Sequence, residues 1–213
     1  MSIKLTRWQK PDQGVLFIIT GASGTGKTTL VKEALKTIPD LRFSVSATTR
    51  VIRSGEVDGV DYFFLNKDNF LSLKEDNAFL ESAQVYGNYY GTLKKPVLES
   101  LKQGDSILLE IDRRGAEQVK SKMPNAVSIF VLPPSIGSLE IRLRNRATDS
   151  EEIIQRRLAD ARDQLDSCHQ FDYLLINDDL DSAIEQFQAI LVSELLKITQ
   201  RSSWVQQFSR KKQ

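Results

Sequence analysis

The chain has 213 residues, and its 29 lysines and arginines nearly balance 28 aspartates and glutamates, which leaves a formal net charge of +1. This length predicts one large domain, and 40% hydrophobic with 27% charged residues is typical of a globular protein rather than a disordered or fibrous one. The near-zero charge excludes a global field that would hold a polyanion. The single cysteine, Cys168, excludes an intramolecular disulfide and a cysteine-cluster metal site.

The beginning of the chain, MSIKLTRWQK, lacks the apolar core of a signal peptide. No apolar run approaches the roughly 20 residues that a membrane-spanning helix needs. We therefore expect a cytoplasmic protein that binds neither membranes nor nucleic acids.

Short apolar runs alternate with stretches of helical periodicity, which predicts an α/β fold with a parallel sheet and flanking helices. The predicted strands are residues 16–20, 43–47, 106–111, 127–132 and 173–176. The predicted helices are residues 27–37, 93–103, 115–122, 136–145, 150–168 and 180–199. The basic, polar end of the chain is predicted to be a frayed helix end.

Two segments depart from this alternation. Residues 46–92 hold four of the five tyrosines and one short helical stretch near residues 68–75, which predicts a small β-rich insertion. Residues 141–163 have helical spacing and a high density of arginines, which suggests a mobile helical cap.

A glycine-rich sequence, GASGTGKTT, follows the first predicted strand and precedes the first predicted helix. It fits the P-loop pattern G-x-x-x-x-G-K-[ST], in which backbone N–H groups and a helix N-terminus bind phosphate oxygens. We expect the lysine to reach the β- and γ-phosphates of ATP and the threonine hydroxyl to hold Mg²⁺. The predicted ATP-binding residues are Gly21, Ala22, Ser23, Gly24, Thr25, Gly26, Lys27 and Thr28, with Thr28 as the metal ligand.

A pair of carboxylates, Glu110 and Asp112, lies at the end of the predicted strand 106–111. Because strand side chains alternate, we expect both carboxylates to face the same way, where either could approach the metal or a second substrate. The alternative is that Asp112 caps the next helix.

Further motifs follow the P-loop in the order SVSATTR, RSGEVDGVDYFF, FLESAQVYGNYYGT, LEIDRRGAEQV, LPPS and INDDLD. In this order and spacing, from about residue 14 to about residue 191, the chain resembles the guanylate kinase family. The resemblance implies a P-loop core of residues 14–45, 93–134 and 166–213, a GMP-binding module of residues 46–92 and a helical lid of residues 135–165. It also implies the Mg²⁺-dependent reaction of ATP with GMP to give ADP and GDP, with these two nucleotides as substrates.

The resemblance also implies roles for individual residues. The implied GMP-binding residues are Ser46, Arg50, Arg53, Tyr62, Glu81, Tyr90, Thr92 and Asp112. Arginines and tyrosines of this set would bind the GMP phosphate, whereas Ser46, Glu81 and Thr92 would read the guanine. The implied catalytic residues are Lys27, Arg142, Arg146 and Arg157, and Asn177 would lie along the adenine of ATP.

The chemistry of these side chains supports the roles. A carboxylate such as Glu81 only accepts hydrogen bonds, so it matches the adjacent N1–H and amino donors of guanine, whereas adenine has no N1–H. The guanidinium groups of Arg50 and Arg53 suit a phosphate dianion, and we expect Glu56 to orient one of them. The alternatives are ion pairing within the cap for its arginines, and a turn or helix cap for Asn177.

Two other functions stay open. The first is a binding module like the guanylate kinase-like domains of scaffold proteins, in which the phosphate loop has decayed; the intact loop here disfavours it. The second is a P-loop kinase for another acceptor, such as AMP, UMP or a small alcohol, which Glu81 together with Ser46 disfavours.

Overall fold

The computed structural model describes residues 5, 8–85, 87–145, 150–165 and 168–210. Its strands are β1 Leu16–Thr20, β2 Leu41–Phe43, β3 Ala47–Thr48, β4 Phe63–Phe64, β5 Phe79–Val85, β6 Asn88–Leu93, β7 Ser106–Glu110, β8 Val127–Leu132 and β9 Tyr173–Ile176. Its α-helices are α1 Lys27–Thr37, α2 Lys67–Glu75, α3 Lys94–Lys102, α4 Arg113–Lys122, α5 Ile136–Asn145, α6 Glu151–Leu165, α7 Leu180–Leu195 and α8 Ser202–Arg210. Short 3₁₀ helices span Cys168–Gln170 and Ile198–Gln200.

The larger sheet consists of parallel strands in the order β2-β7-β1-β8-β9. Its central strand β1 reads LFIIT and is buried along its whole length, as expected of a parallel strand covered on both faces. The predicted α/β fold with a parallel sheet and flanking helices is confirmed.

Helices cover both faces of this sheet. On one face, Phe17 and Ile19 of β1 pack in a cluster with Leu30 of α1 and Phe187 of α7. On the other face, side chains of β1 and β7 pack with those of α3 and α4; they include Leu16, Ile18, Leu109, Val97 and Val119. Alternate residues of β1 therefore pack in two apolar clusters, one on each face of the sheet. The two clusters fix the strand ends from which the loops at the carboxyl edge of the sheet begin.

A second, smaller sheet has the strand order β4-β3-β6-β5. Strand β3 pairs with β4 in parallel and with β6 antiparallel, and β5 pairs antiparallel with β6. Helix α2 covers this sheet through Phe70, whose ring centroid lies 4.5 Å from that of Phe79 and 5.5 Å from that of Tyr89. The segment between β2 and α3 thus has its own small apolar cluster.

Helices α5 and α6 pack against each other beside the loop that follows β1. Leu139 and Leu143 of α5 form an apolar cluster with Leu158 of α6 and with Ala22 of that loop. The arginine-rich segment is therefore attached to the predicted phosphate loop through apolar contacts.

The prediction of one strand over residues 43–47 is wrong. Strand β2 ends at Phe43 in the larger sheet, and β3 begins at Ala47 in the smaller one. Between them, the Ser44 N–H donates to the Leu108 carbonyl of the larger sheet, whereas the Ser46 carbonyl accepts from the Phe63 N–H. The segment FSVSA therefore crosses from one sheet to the other, and only the pairing partners reveal the crossing.

The end of the chain also differs from the prediction. Helix α7 ends at Leu195, and a separate helix, α8, begins at Ser202 instead of a frayed end. Near its start, the Asp12 carboxylate accepts from the Ser203 N–H at 2.7 Å, and the Arg201 guanidinium donates to the Gln9 carbonyl at 3.1 Å. Asp12 and Gln9, the two residues that stabilise the start of α8, lie near the other end of the chain. The local sequence of α8 therefore does not predict these contacts.

Candidate active site

The predicted phosphate loop lies between the buried strand β1 and helix α1. Gly26 ends the loop with a φ of +93°. A Cβ atom there would lie 2.2 Å from the side-chain nitrogen of Asn177, so glycine is required both by the backbone and by the space. The first helical hydrogen bonds run from the Thr29 and Leu30 N–H groups to the Gly26 carbonyl. The N–H groups before them lie at the positive end of the helix dipole, where an anion is favoured.

Lys27 and Thr28, the predicted phosphate and metal residues, form the start of α1. The Lys27 ammonium donates to the carbonyls of Gly21 and Ala22 at 2.7 and 2.9 Å. The Thr28 hydroxyl lies 3.1 and 3.3 Å from the two carboxylate oxygens of Glu110 and donates to them. Because β7 is the neighbour of β1, its last residue Glu110 reaches the loop. A hydroxyl beside a carboxylate offers the oxygen ligands that Mg²⁺ prefers.

Asn177 is buried and holds the phosphate loop in place. Its side-chain nitrogen donates to the Thr25 carbonyl at 2.7 Å. Thr25 in turn donates its hydroxyl proton to the Ala22 carbonyl at 3.0 Å. The helix cap proposed as an alternative role for this turn belongs to Asp179, whose carboxylate accepts from the Ser182 N–H. Of the other loop residues, Gly24 also has a positive φ, of +93°, and Ser23 is exposed.

Arg50 forms the centre of the predicted phosphate-binding group in the insertion. Its guanidinium donates two hydrogen bonds, at 3.0 and 2.6 Å, to the two carboxylate oxygens of Glu56. It also lies over the rings of Tyr62 and Phe64, at 5.3 and 5.6 Å from their centroids. The hydrogen bonds from Arg50 lower the pKa of Glu56 and keep it charged. The expectation that Glu56 orients an arginine is confirmed.

Tyr62 links this group to the rest of the site. Its ring meets that of Tyr90 edge-on, with centroids 6.1 Å apart. Burial raises the pKa of Tyr62, and the charge of Glu110 raises it further. Tyr62 therefore keeps its proton at neutral pH and offers an O–H donor on the side of the insertion that faces the phosphate loop.

Two other predicted residues have different surroundings. Arg53 is exposed, and its backbone N–H donates to Glu56 at 2.8 Å. Ser46 is half-buried in the crossing between the two sheets. Besides the hydrogen bonds from Arg50, the charge of the Arg53 side chain contributes to the lowered pKa of Glu56, which places this arginine near the phosphate-binding group.

Glu81 is the buried carboxylate of the site. It is 5% exposed and accepts a hydrogen bond from the Thr92 hydroxyl at 2.7 Å. Burial, together with the nearby charge of Asp112, raises the pKa of Glu81 to about 7, although the hydrogen bond from Thr92 opposes the rise. A Cβ atom at Gly115 would lie 3.0 Å from the Glu81 carboxylate, so the start of α4 presents bare backbone to this group.

Glu110 and Asp112, which we expected to face the same way, have different partners in the structure. Strand β7 ends at Glu110. Asp112 is the N-cap of α4, where it accepts from the Gly115 N–H at 2.7 Å. Glu110 therefore contacts the phosphate loop through Thr28. Asp112 caps α4, which is the alternative role that the sequence left open for it.

The arginines of the cap fall into distinct surroundings. The Arg142 guanidinium donates to the Asn177 carbonyl at 2.9 Å, which joins α5 to the residue that holds the phosphate loop. Arg144 pairs with Glu140 and Glu151, so for this arginine the ion-pair alternative is confirmed. Arg157 is half-buried on α6. Arg146 lies outside the described residues.

Sequence reasoning missed two side chains of α4 that contact β5. Gln118 forms hydrogen bonds with the backbone of Ser82, and Lys122 donates to the Phe79 carbonyl. Their spacing of four residues predicts a shared face of the helix. Nothing in the local sequence indicates that this face meets the strand that carries Glu81.

The described part of the chain lacks two features that were considered in the sequence. It contains no group of three or more histidine, cysteine, aspartate or glutamate residues that could hold a metal ion. None of its helices has the length and apolarity to cross a bilayer.

Comparisons with known proteins agree with this geometry. Residues 13–194 match the family model described as guanylate kinase. Guanylate kinase of Carboxydothermus hydrogenoformans is 49% identical over 185 residues, which cover 87% of this chain and 91% of that protein. Guanylate kinase of Nitrosospira multiformis is 50% identical over 184 residues, which cover 86% and 88%.

A solved structure is also similar. The crystal structure of guanylate kinase from Anaplasma phagocytophilum has a TM-score of 0.72 and 30% identity, and the match covers 90% of this chain and 92% of that one. The fold is thus shared over most of both chains. The chain belongs to the guanylate kinase family, a family of nucleoside monophosphate kinases.

Proposed function

We propose that this chain transfers the γ-phosphoryl group of ATP to GMP and releases ADP and GDP. The observation that carries the proposal is the buried Glu81 carboxylate, held by the Thr92 hydroxyl at 2.7 Å in the same chain as an intact phosphate loop. A buried acceptor-only group rejects a base that offers no donors, because its own desolvation is then uncompensated. Membership of the guanylate kinase family supports the same acceptor.

The donor nucleotide would bind at the phosphate loop. Its β- and γ-phosphates would accept hydrogen bonds from the N–H groups of residues 21–28, and Lys27 would place its ammonium beside them. Asn177 would act mainly through the loop, because its amide donates to the Thr25 carbonyl. Its predicted contact with the adenine stays part of the proposal.

Mg²⁺ fits the oxygen ligands present at this loop. The Thr28 hydroxyl would bind the metal directly, and Glu110, 3.1 Å away, would accept the hydroxyl proton and orient the oxygen lone pairs. Bound there with ATP, the metal would neutralise charge on the β- and γ-phosphates.

The acceptor nucleotide would bind across the smaller sheet. Arg50 is already oriented by Glu56, and with Arg53, Tyr62 and Tyr90 it would bind the GMP phosphate. Glu81 would accept from the guanine N1–H and amino groups. The remaining predicted contacts of the base are Ser46, Thr92 and Asp112, and Asp112 lies close enough to affect the pKa of Glu81.

Transfer would need little covalent chemistry from the protein. The GMP phosphate is itself an anionic nucleophile, so no general base is required, and stabilisation of the spreading negative charge supplies the catalysis. Lys27 would supply it from the loop, and Arg142, Arg146 and Arg157 from the cap. We include in the proposal a core of residues 14–45, 93–134 and 166–213, a GMP-binding module of residues 46–92 and a lid of residues 135–165. A cytoplasmic location without nucleic-acid or membrane partners completes it.

A coupled assay of ADP release tests the acceptor. Purified protein receives ATP and Mg²⁺ in separate wells with GMP, AMP, UMP, CMP or no acceptor. We expect ADP release with GMP alone. Release with AMP or UMP would contradict the assignment of Glu81 to guanine, and folded protein that binds GMP but stays silent in every well would favour a binding module.

A further inference from the structure

Strand β5, which carries Glu81, is an edge strand of the smaller sheet, and a side chain from the core occupies its outer edge. The inner edge of β5 pairs with β6. On the outer edge, the Gln118 amide nitrogen donates to the Ser82 carbonyl and its amide oxygen accepts from the Ser82 N–H, both at 3.2 Å. Gln118 therefore makes with one residue the pair of bonds that a neighbouring strand would make.

A second contact lies one helical turn away on the same face of α4. The Lys122 ammonium donates to the Phe79 carbonyl at 3.0 Å. Gln118 and Lys122 thus hold the backbone of β5 at Ser82 and at Phe79, on either side of Glu81. Both residues belong to a helix of the larger domain core, whereas β5 belongs to the insertion.

The held segment contains an irregularity that aims Glu81. The pairing with β6 passes from Phe79 opposite Leu93 to Glu81 opposite Thr92, so β5 has one extra residue there, as in a β-bulge. Its extra residue, Leu80, packs in the core cluster that includes side chains of α4. The next residue, Glu81, also turns to α4, where its carboxylate lies 3.0 Å from a Cβ atom built at Gly115. Two successive side chains therefore face the same helix, against the normal alternation of a strand.

We infer that Gln118 is a positioning residue for guanine selection, because it fixes the bulge of β5 and so sets the place and direction of the Glu81 carboxylate. The inference rests on the proposed function, in which Glu81 reads the base. Gln118 acts through Glu81 and makes no contact with the base itself. A small shift of the bulge would move the carboxylate out of line with two adjacent donors at once.

The test measures GMP and IMP binding by calorimetry, since the hypoxanthine of IMP keeps the N1–H but lacks the amino group. The variant Gln118→Leu removes both hydrogen bonds at similar side-chain size. We expect its dissociation constant for GMP to rise about five- to tenfold and its preference for GMP over IMP to shrink, with ATP binding unchanged. Gln186→Leu, on the exposed face of α7, is the matched control and should bind as the wild type does.

The double variant Glu81→Gln, Gln118→Leu separates positioning from general stability. If Gln118 acts through Glu81, then Gln118→Leu should cost no further GMP affinity once Glu81 is changed. Should Gln118→Leu not fold, Gln118→Met, which is unbranched like glutamine, also removes both hydrogen bonds and should show the same loss.

Two results would overturn the inference: unchanged GMP affinity in a folded Gln118 variant, or an equal loss with and without the Glu81 change. A wild-type protein that binds GMP but does not phosphorylate it would contradict the proposed function instead, because the binding measurements need no turnover.

Discussion

The side-chain nitrogen of Asn177 donates to the backbone carbonyl of Thr25 at 2.7 Å, although the two residues lie 152 positions apart. The bond joins the turn after the edge strand β9 to the middle of the phosphate loop. Arg142 donates to the Asn177 carbonyl at 2.9 Å, so the cap is attached to the same turn. Asn177 thus connects the loop that would bind ATP with the helices that would close over it, through hydrogen bonds to both.

Removing this amide should weaken the loop. Asn177→Ala leaves the Thr25 carbonyl without its donor, and we expect a loss of about 1–3 kcal/mol in the free energy of unfolding. The KM for ATP should rise while the KM for GMP stays near the wild-type value. Chemical denaturation and steady-state kinetics measure both, with Asn125→Ala, at an exposed turn, as the control. Equal effects on the two KM values would contradict this role.

Lys27 should be required for turnover but not for folding. Lys27→Ala removes the cation next to the predicted β- and γ-phosphates, and we expect the rate to fall by at least about 10²-fold. The variant should still fold, because the hydrogen bonds that it loses to the carbonyls of Gly21 and Ala22 lie within the loop itself. Lys32→Ala, exposed on the same helix, is the control. A Lys27→Ala rate equal to that of the wild type would remove the phosphate-loop assignment.

The buried carboxylate should give GMP use a pH dependence. Burial raises the pKa of Glu81 to about 7, so the charged form that accepts from guanine forms as the pH rises through that value. We expect kcat/KM for GMP to increase between about pH 6 and about pH 8, and this step to be absent in Glu81→Gln. The GMP phosphate also titrates, near about pH 6, in both proteins, so the difference between the two profiles reports Glu81 alone. Superimposable profiles would exclude Glu81 as the titrating group.

The same group should affect stability in the opposite direction. Because the folded-state pKa is raised above its usual value of 4.5, the folded protein binds more protons than the unfolded chain between that value and about 7. The contribution of Glu81 to stability is therefore present at low pH and lost as the pH rises through about 7. Unfolding of nucleotide-free protein at about pH 5 and about pH 8 should show this slope in the wild type and a smaller one in Glu81→Gln.

The ion pair of Arg50 should matter through orientation of the arginine. Glu56→Gln keeps the shape of the side chain but removes the charge that receives two guanidinium hydrogen bonds. We expect the KM for GMP to rise about five- to tenfold, with the KM for ATP unchanged, since charge-assisted bonds are roughly twice as strong as neutral ones. Glu99→Gln, whose partner Lys95 lies 4.0 Å away on the exposed face of α3, should have no effect. A KM for GMP equal to that of the control would show that Arg50 needs no such partner.

Local sequence predicted those elements whose cause is local. The predicted strands 16–20, 127–132 and 173–176 coincide with β1, β8 and β9. Each is a short run rich in apolar residues, many of them β-branched or aromatic. Such residues favour the extended conformation of a strand that is buried in a sheet. The phosphate loop was equally predictable, because its glycines and its position between a strand and a helix are properties of a short segment.

Features that depend on distant partners were not predictable in this way. The segment 43–47 was predicted as one strand but is divided between two sheets. Helix α8 is stabilised by contacts with Asp12 and Gln9, near the other end of the chain. The contacts of Asn177 with Thr25 and of Gln118 with Ser82 join elements that packing alone brings together.

The candidate site shows the same division. The motifs predicted the candidate side chains by residue type, and Glu56, which was expected to orient one of two arginines, pairs with Arg50. The sequence left open whether Asp112 approaches a substrate or caps α4, because the answer depends on where β7 ends and where α4 begins.

The product balance of the reaction tests the central claim most directly. Wild-type protein is incubated with ATP, Mg²⁺ and GMP, and all nucleotides are separated by ion-exchange chromatography. The account predicts that GDP and ADP form in equal amounts and that neither forms when GMP is replaced by AMP. ADP without GDP, or bound GMP that is never phosphorylated by the folded protein, would contradict it.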